Sequence, residues 1–192
     1  MERRLAAVLI SDVVDYTKLM EIDTEGTVSA WSKARDEFIE PSILAHKGRV
    51  VKFTGDGFLA EFKTVQEALQ CAIDLQIDLS SSSLKFRMGI NLGDIIDDGK
   101  DIHGEGINIA ARLETIAQPG TICISGDVFN QVRHRIDVEY QNLGPQEVKN
   151  VSEPVMAYMV RVEDKALEKT LVDVDDKENL SIAVLPFDNM SA

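Results

Sequence analysis

The 192-residue chain lacks most of what a membrane-inserted, disulfide-stapled or nucleic-acid-binding protein needs. No apolar run approaches the ~20 residues of a bilayer span, and no signal-peptide pattern precedes the first strand-like segment, so a cytoplasmic protein is expected. The two cysteines are not at metal-ligand spacing: Cys71 lies in the helical stretch 65–79 and Cys123 in the strand-like stretch 121–125. Both read as buried thiols of a reducing compartment. The three histidines, His46, His103 and His134, are scattered, and none pairs with a serine or cysteine motif, so a hydrolase triad has no support. Positive charge is scarce: 20 Lys and Arg against 33 Asp and Glu leave a net charge of −13. That balance argues against nucleic acid or an anionic membrane as partner, since both would be repelled. No internal repeat is present. What the chain does have is 44% hydrophobic content, enough over this length for one substantial core.

Two aspartates stand out, each at a chain reversal after an apolar run. Asp12 follows Leu5-Ala6-Ala7-Val8-Leu9-Ile10-Ser11, a buried-strand pattern that passes into a helical stretch beginning near Thr17. The free N–H groups of that helix start are suited to phosphate. Asp56 sits at the tip of Gly55-Asp56-Gly57 between two short strand patterns, a strong hairpin signal. Either aspartate alone reads more simply as an ordinary turn residue. Together they suggest a metal site, because neighbouring carboxylates repel and a hard dication such as Mg²⁺ or Mn²⁺ removes that penalty.

A third motif joins them. The strand Gly89-Ile90-Asn91-Leu92-Gly93-Asp94 leads to Asp101-Ile102-His103-Gly104-Glu105-Gly106-Ile107-Asn108-Ile109-Ala110-Ala111-Arg112-Leu113-Glu114, helical from Gly106 onward. Asn108 and Arg112 are four residues apart and share one helix face, where an amide and a guanidinium reach the same phosphate and ribose oxygens. Alone, this pair reads as a solvated polar stripe.

The segments Ser11-Asp12-Val13-Val14, Lys52-Phe53-Thr54-Gly55-Asp56-Gly57 and Asp101-Ile102-His103-Gly104 through Glu114, in that order, resemble the class III nucleotidyl cyclase catalytic domain over about residues 3 to 162. The likeness is closest to bacterial adenylate cyclases whose catalytic domain precedes a longer regulatory region. Three ordered motifs make it a specific match. The resemblance implies an adenylate cyclase, a lyase in which the ribose 3′-hydroxyl of ATP attacks the α-phosphorus to give 3′,5′-cyclic AMP and pyrophosphate. It also implies two Mg²⁺ or Mn²⁺ ions per site, held by Asp12, Asp56 and the Val13 carbonyl, with Arg112 stabilising the α-phosphoryl charge and Asn108 orienting the ribose. Lys52 and Asp101 occupy the family's base-reading positions. They complement the acceptor and donor of adenine and mismatch guanine, at a cost of about 1–3 kcal/mol, or roughly one to two powers of ten in favour of ATP.

Lys52 and Asp56 share one hairpin yet should contact opposite ends of an extended ATP. The family's solution is a head-to-tail homodimer with two interfacial sites. Lys149, in Val148-Lys149-Asn150, resembles a triphosphate-binding lysine. Asp15 departs from the family, which usually has Gly or another small residue there; it either caps the helix starting near Thr17 or faces the phosphates. A catalytically silent cyclase-fold nucleotide-binding module and a guanylate cyclase are the alternatives. A diguanylate cyclase or polymerase-type palm is a further one, although the Gly-Gly-Asp/Glu-Glu-Phe hairpin of the former is absent.

The expected order is strand 5–11, helix 17–46 with a break at Pro41, strands 49–54 and 57–63, helix 65–79, strand 85–93 with a hairpin return near 94–97, helix 105–117, strand 121–125 and helix 126–132, then strands near 136–143 and 155–162. That is an α+β, ferredoxin-like βαββαβ core with additional C-terminal strands, its helices on one sheet face. Residues 1–162 form the catalytic domain in this reading, 163–179 a charged linker and 180–192 the start of a following module, part of a C-terminal regulatory region.

Overall fold

The first strand, β1 (Glu2–Val13), is buried on both faces along Ala6-Ala7-Val8-Leu9, each at most 1% exposed, which makes it a central strand. The computed structural model describes residues 1–148, 151 and 153–162. After β1 come α1 (Tyr16–Ile22), α2 (Thr24–Lys33), a π turn (Ala34–Ile39), α3 (Glu40–Ala45), β2 (Arg49–Thr54), β3 (Gly57–Phe62), α4 (Val65–Asp78) and β4 (Phe86–Asp97). Then follow β5 (Ile102–His103), α5 (Glu105–Ile116), β6 (Thr121–Ser125), α6 (Gly126–Val132), β7 (Glu139–Gln146) and β8 (Val155–Arg161). The sheet order is β2-β3-β1-β4-β6-β8-β7, with β5 paired to β4. Its first four strands are the expected ferredoxin-like core, with β1 antiparallel to both β3 and β4. The helix α5 crosses from β4 to the parallel β6, and β8 and β7 complete the sheet antiparallel.

Helices cover both faces of the sheet, not the single face expected. Along β1 the side chains alternate: Ala7 and Leu9 pack with Trp31, Leu69 and Val128, from the side of α2, α4 and α6. Ala6 and Val8 pack with Ala110 of α5 on the other side. Two glycines of β4 explain the close seat of α5. A Cβ at Gly89 would stand 2.2 Å from the Ala110 carbonyl oxygen and 2.3 Å from the Glu114 nitrogen, and one at Gly93 would stand 2.9 Å from the Gly106 Cα. Between them, Asn91 Nδ2 donates to the Gly106 carbonyl at 3.0 Å. The α4 helix starts where Thr64 accepts the Glu67 N–H, and it buries Ala68, Leu69, Ala72 and Leu75, while Ile77 is 41% exposed.

The long first helix differs from expectation. It breaks at Asp23, whose backbone is extended (φ −149°, ψ 90°) and whose side chain accepts the Gly26 N–H to start α2. At Pro41 the chain stays helical, preceded by the π turn in which the Glu40 N–H bonds the Arg35 carbonyl. Proline offers no N–H and crowds the carbonyl one turn back; the wider turn accommodates it. β4 runs unbroken through 94–97, and the return strand is the two-residue β5, pairing Ile96 with His103. Lys149 and the segments 163–179 and 180–192 lie outside the described residues. Among the described residues, no helix is long and apolar enough to cross a membrane.

Candidate active site

Three strands converge on Asp12. Its register partners are Gly57 of β3 and Arg87 of β4, at the C-terminal end of β1 inside the sheet. The β2–β3 hairpin folds over this end, and the Val13 N–H donates to the Asp56 carbonyl at 3.0 Å. Glycine is required at the tip: a Cβ at Gly57 would meet the Ser11 carbonyl at 2.2 Å, and Gly55 has φ +39°. Asp12, Val13, Asp15, Thr17, Asp56 and Arg87 are among the walls of an open cleft of about 590 Å³.

Asp12 and Asp56 are therefore brought together as expected, with Val13 beside them. Burial raises the Asp12 carboxyl above its ordinary range; the Arg87 hydrogen bond opposes this and the Asp56 charge adds to it. Arg87 Nη2 donates to Asp12 Oδ2 at 2.9 Å. On its other side Arg87 Nε stands 2.5 Å from Glu114 Oε1. That contact is an ion pair without hydrogen-bond alignment, because both atoms are buried and unbonded among the described residues. Burial also raises the Glu114 carboxyl, with Arg87 opposing. Among the described residues, no three His, Cys, Asp or Glu side chains cluster as a ready-made metal cage. Two carboxylates facing an open cleft suit a hard cation that takes its other oxygens from backbone, water or substrate phosphate.

Asp15 occupies the position before α1 with φ +57°, a left-handed conformation that Asp tolerates and Gly prefers. Its carbonyl accepts the Leu19 N–H at 3.0 Å, but its side chain makes no capping bond and stays on the cleft wall. Of the two alternatives for Asp15, the cap is thus not made.

A bulge in β2 places Lys52. Val50 pairs with Ala60 and Lys52 with Leu59, leaving Val51 as the extra residue. Val50 and Phe53 pack on the α4 side of the sheet, whereas Val51 and the partner Leu59 pack on the α5 side. Lys52 is turned to the α5 side as well, where its Nζ meets Asp101 Oδ2 at 2.5 Å. Lys52 is the main cause that holds the Asp101 carboxyl below its ordinary range. Asp101 is further fixed by the turn before it: its Oδ1 accepts the Ile102 N–H, and its own N–H donates to Asp98 Oδ1.

Asn108 and Arg112 are exposed on the outer face of α5, while Gly106, Ala110, Leu113 and Glu114 face the sheet. Neither lines the Asp12–Asp56 cleft, and neither do Lys52 and Asp101. The anticipated residues thus fall into three groups within one chain. Arg87 and Glu114 were not anticipated. Glu114 lies within the third motif, but only the pairing of Asp12 with Arg87 across β1 and β4 reveals the link.

A ferredoxin-like core, a carboxylate pair at the end of its central strand and an Asn/Arg helix on the opposite sheet face define the class III nucleotide cyclase type of catalytic domain. The chain belongs to the family described as "Adenylate and Guanylate cyclase catalytic domain", whose model matches residues 3–162. It is 39% identical over 203 aligned residues to "Putative adenylate cyclase 3" of Rhizobium meliloti (strain 1021), an alignment covering 100% of this chain and 35% of that protein. It is 31% identical over 130 residues to an adenylate cyclase of Glutamicibacter nicotianae, covering 67% of this chain and 32% of that protein. The chain spans about a third of the length of these curated relatives. Among solved structures, an adenylate/guanylate cyclase/hydrolase from Silicibacter pomeroyi matches at 37% identity and TM-score 0.79, over 84% of this chain and 99% of that one. The adenylyl cyclase CyaB from P. aeruginosa shares the fold at 24% identity and TM-score 0.73, over 83% and 96% of the two chains.

Proposed function

We propose that the domain is a homodimeric adenylate cyclase, converting ATP to 3′,5′-cyclic AMP and pyrophosphate with Mg²⁺ or Mn²⁺. One observation carries the reading: Asp12 and Asp56 share a cleft that Lys52, Asp101, Asn108 and Arg112 do not line, so a complete site needs two copies. In the reaction the ribose 3′-oxygen bonds to the α-phosphorus, the bond to the bridging oxygen of pyrophosphate breaks, and the 3′-hydroxyl proton is lost. Asp12, Asp56 and the Val13 carbonyl would hold two ions, which when bound supply acidification of the 3′-hydroxyl and neutralisation of the triphosphate. The other protomer contributes Arg112 to the α-phosphoryl and Asn108 to the ribose. It also contributes the base pocket, in which Lys52 donates to adenine N1 and Asp101 accepts from the amino group. The existing Lys52–Asp101 contact holds both in place before the base arrives. Lys149 serves as a triphosphate contact in this reading.

The names of the Rhizobium and Glutamicibacter relatives favour adenylate over guanylate specificity. In the same reading the domain is cytoplasmic and ends at residue 162, with a charged linker over 163–179 and a regulatory module from 180. The test is cyclic nucleotide formation from ATP and, separately, GTP, with either metal, over a range of protein concentrations and with Asp56→Ala as blank. Cyclic AMP formation rising faster than linearly with concentration is expected. Preferential cyclic GTP would make it a guanylate cyclase, and no product from either nucleotide would make it a silent nucleotide-binding module.

A further inference from the structure

Arg87 pairs with both Asp12 in the carboxylate cleft and Glu114 of α5, and its contacts are unequal. Toward the cleft it makes a well-formed hydrogen bond from Nη2 to Asp12 Oδ2 at 2.9 Å. Toward the helix its Nε lies 2.5 Å from Glu114 Oε1 without alignment, leaving two buried polar atoms unbonded. Buried groups of this kind are ordinarily bonded, and an unbonded pair facing each other marks an arrangement with a better alternative. The alternative is at hand: a guanidinium offers five donors in a planar fork and a carboxylate accepts two of them side by side. Glu114 itself has little freedom to move, because the α5 backbone at Ala110 and Glu114 lies directly on Gly89 of β4. Arg87 is the partner able to turn.

We infer that Arg87 is a transferable counter-ion, holding Asp12 while the cleft has no cation and passing wholly to Glu114 when a divalent ion takes Asp12. The inference rests on reading Asp12 and Asp56 as the cation-holding pair. With Asp12, Asp56 and Glu114 around it, one guanidinium balances one of three negative charges. A dication between Asp12 and Asp56 would repel Arg87 at close range, and Glu114 is the carboxylate already in contact with it on the other side. Glu114 thereby acts as a positioning residue: it receives the displaced charge without touching substrate. Its removal leaves Arg87 with its Asp12 bond, in competition with the incoming ion.

The test is a Mg²⁺ titration of the nucleotide-free protein labelled with ¹⁵N-arginine, following the Arg87 Nε–H, which an Arg87→Lys variant identifies by its loss. The expected result is a saturable downfield shift of that signal as Nε closes on Glu114, in step with the backbone signals of Val13 and Asp56. In Glu114→Gln the shift is abolished and Mg²⁺ affinity at the backbone signals falls roughly tenfold, the usual size for removing a group behind a ligand. A stationary Arg87 Nε–H while Val13 and Asp56 saturate would overturn the inference and leave the cation site standing. If Val13 and Asp56 do not respond at all, the cation-site reading itself fails.

Discussion

At the scale of single side chains, Asp98, Asp56 and Arg112 each give a measurable consequence. Asp98 accepts the backbone N–H groups of Asp101 and Lys100 and pairs with His103, which together pull its carboxyl down to about 2. A carboxylate lowered on folding stabilises the folded state above the ordinary carboxylate range and loses that contribution as pH falls through its folded value. Asp98→Ala is therefore expected to lower the melting temperature at neutral pH, with the difference from the parent protein closing as pH drops from about 4 toward 2. The same variant loosens the turn that aims Asp101, so the KM for ATP should rise more than kcat falls. Asp56→Ala and Arg112→Ala are expected to stay folded and to lose activity by at least about 10²–10³-fold, the cost of removing one transition-state electrostatic group. Arg112 is exposed and forms no ion pair among the described residues, so its loss should move stability by no more than about 0.5 kcal/mol. Normal turnover by either variant would remove the mechanism.

The decisive seam between elements is α5 on β4. Because Gly89 leaves no room between strand and helix backbones, Gly89→Ala forces the two apart. A cost of about 1–3 kcal/mol is expected, as for overpacking where backbone is the obstacle. That corresponds to roughly 2–4 °C of melting temperature per kcal/mol at this size, read by thermal or urea unfolding. Activity should fall further than stability does, since Glu114 and Arg112 ride on the same helix. The elements themselves were mostly legible: apolar runs and the Gly-Asp-Gly tip marked β1, β2 and β3, and helical spacing marked α4 and α5. The break at Asp23 was not, because an Asp that caps the next helix looks, in a polar stretch, like any helical surface residue. The bulge at Val51 was equally hidden, as it depends on which side of the sheet Phe53 and Leu59 find their packing partners.

For the whole molecule, the separation of the Asp12–Asp56 cleft from the outer face of α5 makes a strong prediction. Asp56→Ala and Arg112→Ala, each expected to be inactive alone, should recover activity when mixed, because in the proposed head-to-tail dimer a mixed pair retains one intact site. Random exchange makes half the dimers mixed with one of two sites whole, so about a quarter of the parent activity is expected. No recovery after verified exchange would place all the residues in one chain's site. The amino-acid sequence by itself determined most of the secondary structure, the ferredoxin-like order and the candidate residues Asp12, Asp56, Lys52, Asp101, Asn108 and Arg112, because periodicity, turn residues and ordered motifs are local properties of the chain. The tertiary structure alone decided that α5 lies on the opposite face, that Arg87 stands between Asp12 and Glu114, and that Lys52 meets Asp101 away from Asp56. These follow from strand register and from backbone-to-backbone packing at Gly89 and Gly93, which bring together residues tens of positions apart. A charge has no local sequence signature of the partner it will meet across a sheet, so those contacts are fixed only when the strands pair.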